Sequence, residues 1–248
     1  MILGTIATGS KGNCHYLKDS KGKILLLDAG ISIKEIKRGI DYNISDVIGA
    51  VVSHGHLDHS KSVKDLENLR IPVFKPYEEV FPNGYKYKCS PGVYLFGDFT
   101  VKAFDLTDKD GKFVHTNADG SECPCYGFLI QHPEMGKMIY ATDCEFIKWQ
   151  FKYTNHILIG CNYQNKYVGD NDAKKNHVLR GHMELETVKE FVKANKSNSL
   201  RSVTLCHMSL ESADPTECMQ EVQKVADCAV YVAEKGMEIE LRKDVCPF

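Results

Sequence analysis

Four side chains of the types that bind divalent metal ions stand together in residues 54–59. His54, His56, Asp58 and His59 occur in "SHGHLDH", directly after the apolar run "VIGAVV". Imidazole and carboxylate groups are the usual protein ligands of zinc and similar ions. Residues two apart at a strand end point the same way, so His54 and His56 can reach one ion together. One zinc ion needs only three or four protein ligands, so the cluster indicates two neighbouring ions with further ligands from elsewhere.

Further side chains of these types stand where other predicted strands end. Asp143 follows "KMIYAT", His207 follows "SVTLC", and His115 lies in a polar loop before a strand. Asp28 ends "KILLLDAG" in the same way. Strand ends that meet at one edge of a sheet are where sites tend to form. A single histidine is more often an ordinary surface or packed residue, so these assignments depend on the fold bringing the residues together.

The elements that must position these residues are short strands with helices between several of them. The alternating and apolar runs predict strands in "MILGTIAT", "CHYLK", "KILLLDAG", "VIGAVVSH", "FTVKAFDL", "CYGFLIQH", "KMIYATD", "HILIGCNY" and "SVTLCHMS". Apolar residues at helical spacing predict helices over 58–69, in "GHMELETVKEFVKANK" and in "DPTECMQEVQKVA". The tail "AVYVA" and "GMEIELR" predicts a hairpin with its turn at Gly236. We predict an α/β fold in a single domain, 1–248, and interpret the polar residues 106–124 as a long loop.

Net charge, apolar runs and cysteine spacing indicate where in the cell the protein is expected and how it could bind nucleic acid. The 248 residues carry a formal net charge of −2, which argues against nucleic-acid binding by bulk electrostatics but allows a local basic patch. No run of about 18 apolar residues predicts a membrane span, and the start of the chain lacks the basic and apolar regions of a secretory signal. The ten cysteines have no compact spacing. We therefore expect reduced thiols and a cytoplasmic protein.

Taken together, these motifs resemble the metallo-β-lactamase superfamily. The pieces that carry the resemblance, in the order of that family, are "LLLDAG", "SHGHLDH", His115, "YATD" and "LCHMS". Four more pieces are similar to the WalJ/YycJ-like branch, a group of bacterial and phage proteins regarded as DNA exonucleases: "GSKGNC", "CNYQ", "LRGHMELETV" and "LCHMSLESADPTECMQEV". The pair "GHM" and "CHMS" also resembles the ribonuclease Z group of phosphodiesterases.

The resemblance implies an αββα sandwich of two mixed β-sheets flanked by helices, with two divalent ions (Zn²⁺ or Mn²⁺) at one edge. The implied ligands of one ion are His54, His56 and His115, and those of the other are Asp58, His59 and His207, with Asp143 as a bridge. Asp28 would orient a ligand histidine from behind. By the same resemblance, His182 would lie near the scissile phosphate as proton donor or oxyanion stabiliser, so we expect catalytic roles for Asp58 and His182. The alternative for His182, which we favour less, is a surface histidine at the start of a helix.

The chain departs from the family pattern at a few positions. Cys161 stands where relatives commonly have glutamate, and Cys144 follows Asp143 where a small residue is usual. The spacing of Cys123 and Cys125 is too tight for the common zinc motifs, so we expect them to be packing or surface residues. These differences leave the seven implied ligands intact, and they bear on the substrate and on any glutamate-assisted proton transfer.

Four functions are compatible with this ligand set. The first is a metal-dependent phosphodiesterase, exonuclease-like, that attacks DNA or other nucleic acid with a metal-bound hydroxide, with Lys11, Lys61 and Lys64 near the site edge as possible phosphate contacts. The second is a phosphodiesterase that degrades small cyclic nucleotides. Hydrolysis of a lactone, thioester or β-lactam is third, and "GHM" with "CHMS" disfavours it. A metal-stabilised binding protein is fourth, and a homodimer is possible for any of them.

Overall fold

Two mixed β-sheets form the centre of the molecule in the computed structural model, which describes residues 1–77, 79–80, 86–87, 91–113, 115–117, 119–168, 181–209 and 211–244. The first sheet has the strand order β15-β1-β2-β3-β4-β5. Its strands are β1 (Ile2–Ala7), β2 (Cys14–Lys18), β3 (Ile24–Leu27), β4 (Val47–Val51), β5 (Val73–Phe74) and β15 (Glu238–Glu240). Strands β3, β4 and β5 are parallel to one another, and the remaining pairs are antiparallel.

The second sheet has the order β14-β13-β12-β11-β10-β9-β8. Its strands are β8 (Val93–Phe96), β9 (Phe99–Asp105), β10 (Tyr126–His132), β11 (Gly136–Ala141), β12 (His156–Gly160), β13 (Ser202–Cys206) and β14 (Ala229–Val232). The four strands β11 to β14 are parallel, so the chain leaves β11, β12 and β13 at the same edge. A separate two-stranded sheet pairs β6 (Glu79–Val80) with β7 (Lys86–Tyr87).

Helices cover the outer faces of both sheets. They are α1 (Ile33–Gly39), α2 (Leu57–Ser60), α3 (Val63–Asn68), α4 (Leu185–Asn195) and α5 (Pro215–Ala226), with 3₁₀ turns at Ile44–Asp46 and Asn165–Tyr167. Helices α4 and α5 have apolar stripes at helical spacing, and they bury these against the second sheet. Helices α1 and α3 cover the first sheet in the same way. No described helix is long and apolar enough to cross a membrane.

The main core fills the space between the sheets. Leu25 and Leu27 of β3 meet Phe128, Tyr140 and Leu158 of the second sheet in one fully buried cluster. Strands buried on both faces read as continuous apolar runs, which explains "ILLL" and "HILIG". The layer order is helix, sheet, sheet, helix, so the predicted αββα sandwich is confirmed. The single domain 1–248 stays a prediction.

Two predictions about local structure were wrong. The helix predicted over 58–69 is divided into α2 and α3, because Ser62 between them is bound to the first sheet: its N–H donates to Ala29 O (2.9 Å) and its hydroxyl to Ile31 O (2.5 Å). The predicted terminal hairpin is also wrong. Strand β14 pairs with β13 in the second sheet, whereas β15 pairs with β1 in the first. Alternation predicts a strand but not its partner, and Gly236 (φ 84°) turns the chain between sheets.

Some stretches quoted in the sequence motifs lie outside the described residues. They are positions 179–180 of "LRGHMELETV", position 210 of the "LCHMSLE" stretch, and positions 114 and 118 of the polar loop. The "GHMELETVKEFVKANK" stretch is helical only from Leu185, because Glu184 caps the helix by accepting a bond from Glu186 N–H. His182 therefore precedes the helix and is part of a loop.

Candidate metal centre

The loop after β4 carries the histidine motif and is fixed by one buried carboxylate. Asp28 follows β3, the parallel neighbour of β4, and accepts hydrogen bonds from Ser53 N–H (2.7 Å) and the Ser53 hydroxyl (3.1 Å). The Tyr140 hydroxyl donates to the same carboxylate across 2.6 Å from the second sheet. Asp28 thus joins both sheets beneath the motif.

The first group of metal-ligand atoms comes from three histidines. His54, His56 and His115 place one ring nitrogen each within 4.8 Å of one another. His115 Nε2 lies 3.0 Å from His56 Nδ1, so the two rings face a common point. His115 belongs to the long polar loop that joins β9 to β10, and it packs on Gly181, where an added Cβ would lie 2.2 Å from His115 Nδ1.

The second group is formed by Asp58, His59 and His207. Asp58 Oδ2 lies 3.5 Å from His59 Nε2 and 3.6 Å from His207 Nε2. Asp58 and His59 stand in the short helix α2, and His207 follows β13 with a left-handed backbone (φ 50°). Left-handed conformations of non-glycine residues are uncommon and often occur at functional sites.

Asp143 lies between the two groups. One carboxylate oxygen is 3.2 Å from His59 Nε2, and the other is 3.6 Å from His207 Nε2. Asp143 also forms a possible ligand group with His54 and His59. It follows β11, and its position at that strand end brings a carboxylate from the second sheet to the histidines of the first.

The structure places His182 at the same centre. Its Nε2 lies 3.4 Å from Asp143 Oδ1, and its ring centroid is 5.7 Å from that of His115 and 6.1 Å from that of His207. The side chain is 17% exposed, so one part of the ring faces the open side of the site. Asp143, His182 and His207 also form a possible ligand group, so the geometry is compatible with His182 as a ligand or as a proton donor.

Burial and neighbouring charges set the protonation states of these groups. Burial lowers the pKa of His54 well below its usual value and that of His115 to about 4, so both rings are neutral. Burial would raise the pKa of Asp143, but His207 and His59 hold it well below the usual range. Burial would lower the pKa of His59, whereas the Asp28 and Asp143 carboxylates raise it well above the usual value.

These residues fit a divalent metal ion. Among the described residues, Asp143 Oδ2 and His207 Nε2 are buried and have no hydrogen-bond partner. An ionised carboxylate in such a place is costly unless a cation or donor compensates it. Neutral imidazole and ionised carboxylate are the forms that bind metals. His59 donates through Nδ1 to Asp28 across 2.5 Å, so Nε2 is the ring nitrogen that faces the ligand groups.

Two asparagines support the centre and were given no role in the sequence analysis. Asn162 donates through Nδ2 to His207 O (3.0 Å), lies 2.8 Å from His207 Nδ1, and accepts from Met183 N–H (2.9 Å). Asn13 Nδ2 lies 3.1 Å from His59 Nε2, and its Oδ1 accepts from Gly9 N–H. Both occur in motifs quoted for the resemblance, "CNYQ" and "GSKGNC", which was the available signal.

The centre opens into a cavity of about 820 Å³. Five of the seven predicted metal ligands line it, together with His182, and the remainder of its wall comes from four places in the chain: Ser10 and Lys11, Gly30, Leu57 and Lys61, and Thr116. Lys11 and Lys61 line that wall, as does Leu57, whose side chain is 76% exposed. Lys64, the third lysine considered from the sequence, is exposed on α3 and is not part of the lining.

The cysteines that depart from the family pattern are packing residues. Cys123 and Cys125 are buried, and burial raises the pKa of both thiols, so they stay protonated. Cys144 and Cys161 belong to the core beneath α4 and α5. The eight cysteines in the described part of the chain are all free thiols, and the possible metal-ligand groups found there contain none of them.

The fold and the clustered ligands define the class of protein. Residues 7–133 match the family model of the metallo-beta-lactamase superfamily. The chain therefore belongs to that superfamily, and it has the sandwich and the histidine–aspartate cluster of a metal-dependent hydrolase of this fold.

The chain is also similar to individual proteins of known sequence or structure. The chain is 30% identical over 164 residues to the exodeoxyribonuclease YycJ of Bacillus anthracis, a match that covers 60% of this chain and 57% of that protein's length. It is similar in structure to the metallo-beta-lactamase fold protein YhfI of Bacillus subtilis, with a TM-score of 0.68, 15% identity and coverage of 96% and 98% of the two chains. The short form of human tRNase Z superposes with a TM-score of 0.59, 14% identity and coverage of 97% and 99%.

Proposed function

We propose that the chain is a phosphodiesterase with two divalent metal ions, Zn²⁺ or Mn²⁺, that hydrolyses DNA from an end. The observation that carries the proposal is the position of Asp143, whose carboxylate lies within 3.6 Å of His59 and His207 and 3.4 Å from His182. A carboxylate between two groups of ligands is suited to bridging two ions, and a histidine beside it is suited to proton transfer.

In this proposal each group holds one ion. His54, His56 and His115 would hold the first, Asp58, His59 and His207 would hold the second, and Asp143 would be available to both. When bound, the two ions supply Lewis acidity, which lowers the pKa of a coordinated water and neutralises charge on a phosphoryl group. Asp28 acts from behind by fixing the orientation of His59, and Asn162 does the same for His207.

His182 is the proposed proton donor to the leaving oxygen. It is held by the loop before α4 rather than by a strand end, and it faces the cavity while its Nε2 contacts Asp143. An imidazole at the rim can donate a proton to an alkoxide as the phosphodiester bond breaks, a contribution of typically 10²–10⁴-fold to the rate.

Two features support a nucleic-acid substrate. Lys11 and Lys61 line the cavity, so two cationic side chains are available there for the backbone phosphates of a substrate. The relative from Bacillus anthracis is named as an exodeoxyribonuclease. An overall charge of −2 excludes strong non-specific attraction, so contacts of this local kind must supply the electrostatic part of binding.

The proposal is tested with end-labelled single-stranded and double-stranded DNA and the chain loaded with Zn²⁺ or Mn²⁺. We expect mononucleotides to be released in a time-dependent manner, and chelation to abolish their release. His182→Ala should slow turnover by at least about 100-fold with the metal content unchanged. Hydrolysis of cyclic nucleotides or lactones without hydrolysis of DNA would identify one of the alternative substrates and contradict the proposed activity on DNA.

A further inference from the structure

The segment 145–153, directly after Asp143, presents aromatic side chains to solvent on an ordered backbone. It joins β11 to β12 without regular secondary structure. Ile147 and Phe151 point inward and pack on the core beneath α4 and α5. Phe151 N–H donates to Asn195 Oδ1 (2.6 Å) at the end of α4. These contacts fix the segment, so the side chains on its other side are displayed on a rigid support.

Three aromatic rings and two lysines are exposed along this segment, and the third ring, Tyr153, is 68% exposed at its far end. Phe146 is 36% exposed and Trp149 is 44% exposed, and Lys148 and Lys152 are exposed beside them. Large aromatic side chains are usually at least partly buried, because removing about 150–250 Å² of mostly apolar surface from water stabilises the folded state. Their exposure here, together with lysines, is the combination that single-strand-binding proteins use for base stacking and for phosphate contacts.

The indole ring of Trp149 is held in place rather than loosely exposed. Its Nε1–H donates to Asp105 O across 3.1 Å, and Lys148 Nζ lies 5.1 Å from the ring centroid. Lys148 is itself fixed by Asp105 Oδ2 (2.8 Å) and the Thr107 hydroxyl (2.6 Å). A fixed ring loses little conformational entropy when a planar group stacks on it, which favours binding.

Hydrogen bonds connect this segment to the loops that carry His182 and His115. Glu145 Oε1 accepts a hydrogen bond from Gly181 N–H (3.2 Å), the residue before His182. Asp105 and Thr107, which hold Lys148, begin the loop that carries His115. Phe146 follows Asp143 by three residues and Trp149 by six, which places their Cα atoms within roughly 10 and 20 Å of that ligand.

We propose that Phe146 and Trp149 form a stacking surface for one strand of nucleic acid that extends from the metal centre. The inference rests on the proposed phosphodiesterase function and names its substrate class: a single-stranded polynucleotide rather than a small nucleotide. Bases of the strand stack on the two rings, and Lys152, exposed beside them, contacts a phosphate of the same strand. A cyclic mononucleotide has one base, so it cannot use two separate rings while its phosphate is at the metal centre.

Trp149 is the only tryptophan in the chain, so fluorescence excited at a wavelength that tyrosine does not absorb reports on this surface. We would titrate the metal-loaded chain with phosphorothioate oligothymidylate, which slows turnover, and with an abasic phosphorothioate strand of equal length. The base-bearing strand should quench the fluorescence to saturation and bind about tenfold or more tighter than the abasic strand. Equal binding of both strands by anisotropy, unchanged fluorescence at saturation, or no binding of either strand would overturn the proposal.

Substitution separates this proposal from the proposed function. In a double variant, Phe146→Leu with Trp149→Leu, we expect the KM for labelled single-stranded DNA to rise about tenfold or more, because the stacking faces are lost while apolar volume is kept. Hydrolysis of bis(p-nitrophenyl) phosphate should stay within about twofold, since it needs only the metal centre. Tyr42→Ala is the matched control, an aromatic side chain that is 67% exposed before β4, at the edge away from the site.

The outcomes are distinguishable. An unchanged KM for DNA in the double variant overturns the stacking surface and leaves the phosphodiesterase standing. A parallel loss of both activities in a double variant that retains its metal also overturns it, because the effect would then lie at the metal centre. A wild-type chain that hydrolyses neither phosphodiester contradicts the proposed function, and the fluorescence titration still decides whether a strand binds.

Discussion

Asp28 Oδ2 and His59 Nδ1 lie 2.5 Å apart with both side chains fully buried. Asp28 also accepts from Ser53 and Tyr140, so one carboxylate sets the orientation of a ligand-type histidine and joins the two sheets. Partners of this kind fix the ring that faces a metal and raise its basicity. Replacement of Asp28 should therefore weaken metal binding, although Asp28 is not itself a member of a metal-ligand group.

Asp28→Asn is expected to weaken metal binding about 10–100-fold, since the amide keeps the size of the side chain but loses the charge that holds His59. Titration with a competing chromophoric chelator measures the change. Asp214→Asn is the control, because Asp214 belongs to none of the possible metal-ligand groups found among the described residues and caps α5 by accepting from Glu217 N–H (3.0 Å). Equal metal affinity in Asp28→Asn and the wild type would show that His59 does not need this partner.

Gly181→Ala is expected to displace His115, because the new Cβ would lie 2.2 Å from His115 Nδ1. We expect one of the two ions to be lost or bound at least about tenfold more weakly, and hydrolysis to fall with it. Gly120→Ala provides a control in the loop that carries His115, since Gly120 also has a positive φ (81°) but nothing within 4 Å. If both variants lost metal equally, backbone strain rather than the contact with His115 would be the cause.

Asn162→Leu is expected to lower hydrolysis by at least about tenfold, because Asn162 fixes both His207 and the backbone of Met183 beside His182. Metal content and turnover are measured on the same preparation. Asn155→Leu should reduce thermal stability by a comparable amount with metal affinity retained, since Asn155 is also buried and bonds to Lys137 N–H (2.9 Å) away from the site. Full activity in Asn162→Leu would remove its proposed role.

Stability should decline as the pH falls from 6.5 toward 4, in part because of His156. Burial lowers the pKa of His156 to about 4 from 6.5. The unfolded chain binds a proton below pH 6.5 and the folded chain does not, so this side chain decreases the unfolding free energy by about 3 kcal/mol at pH 4. Urea unfolding with chelator present should show a flatter pH dependence for His156→Gln, and an identical slope would contradict the assignment.

The sequence was most informative where one chemical requirement acts on neighbouring residues. The motif "SHGHLDH" predicted a cluster because few other uses place three imidazoles and a carboxylate in six positions. The continuous apolar runs predicted buried strands because both faces are covered. The structure brings Asp143, His115 and His207 to that cluster, and their roles as ligands stay a prediction.

What the sequence did not show depends on contacts between distant segments. The break between α2 and α3 is caused by bonds of Ser62 to the turn after β3, which no local pattern contains. The partners of β14 and β15 were missed because alternation indicates which face is buried and not which strand is adjacent. Asn162 was within a quoted motif, but its role follows only from its distance to His207.

Metal content per chain is the measurement that tests the central claim most directly. We would load the purified chain with Zn²⁺ or Mn²⁺, remove free metal by dialysis, and measure bound metal by inductively coupled plasma mass spectrometry and native mass spectrometry. We predict two ions per chain in the wild type, and fewer than two in Asp143→Ala, since that carboxylate contacts both groups. No bound metal in the folded wild-type chain, or two ions retained without Asp143, would contradict the account.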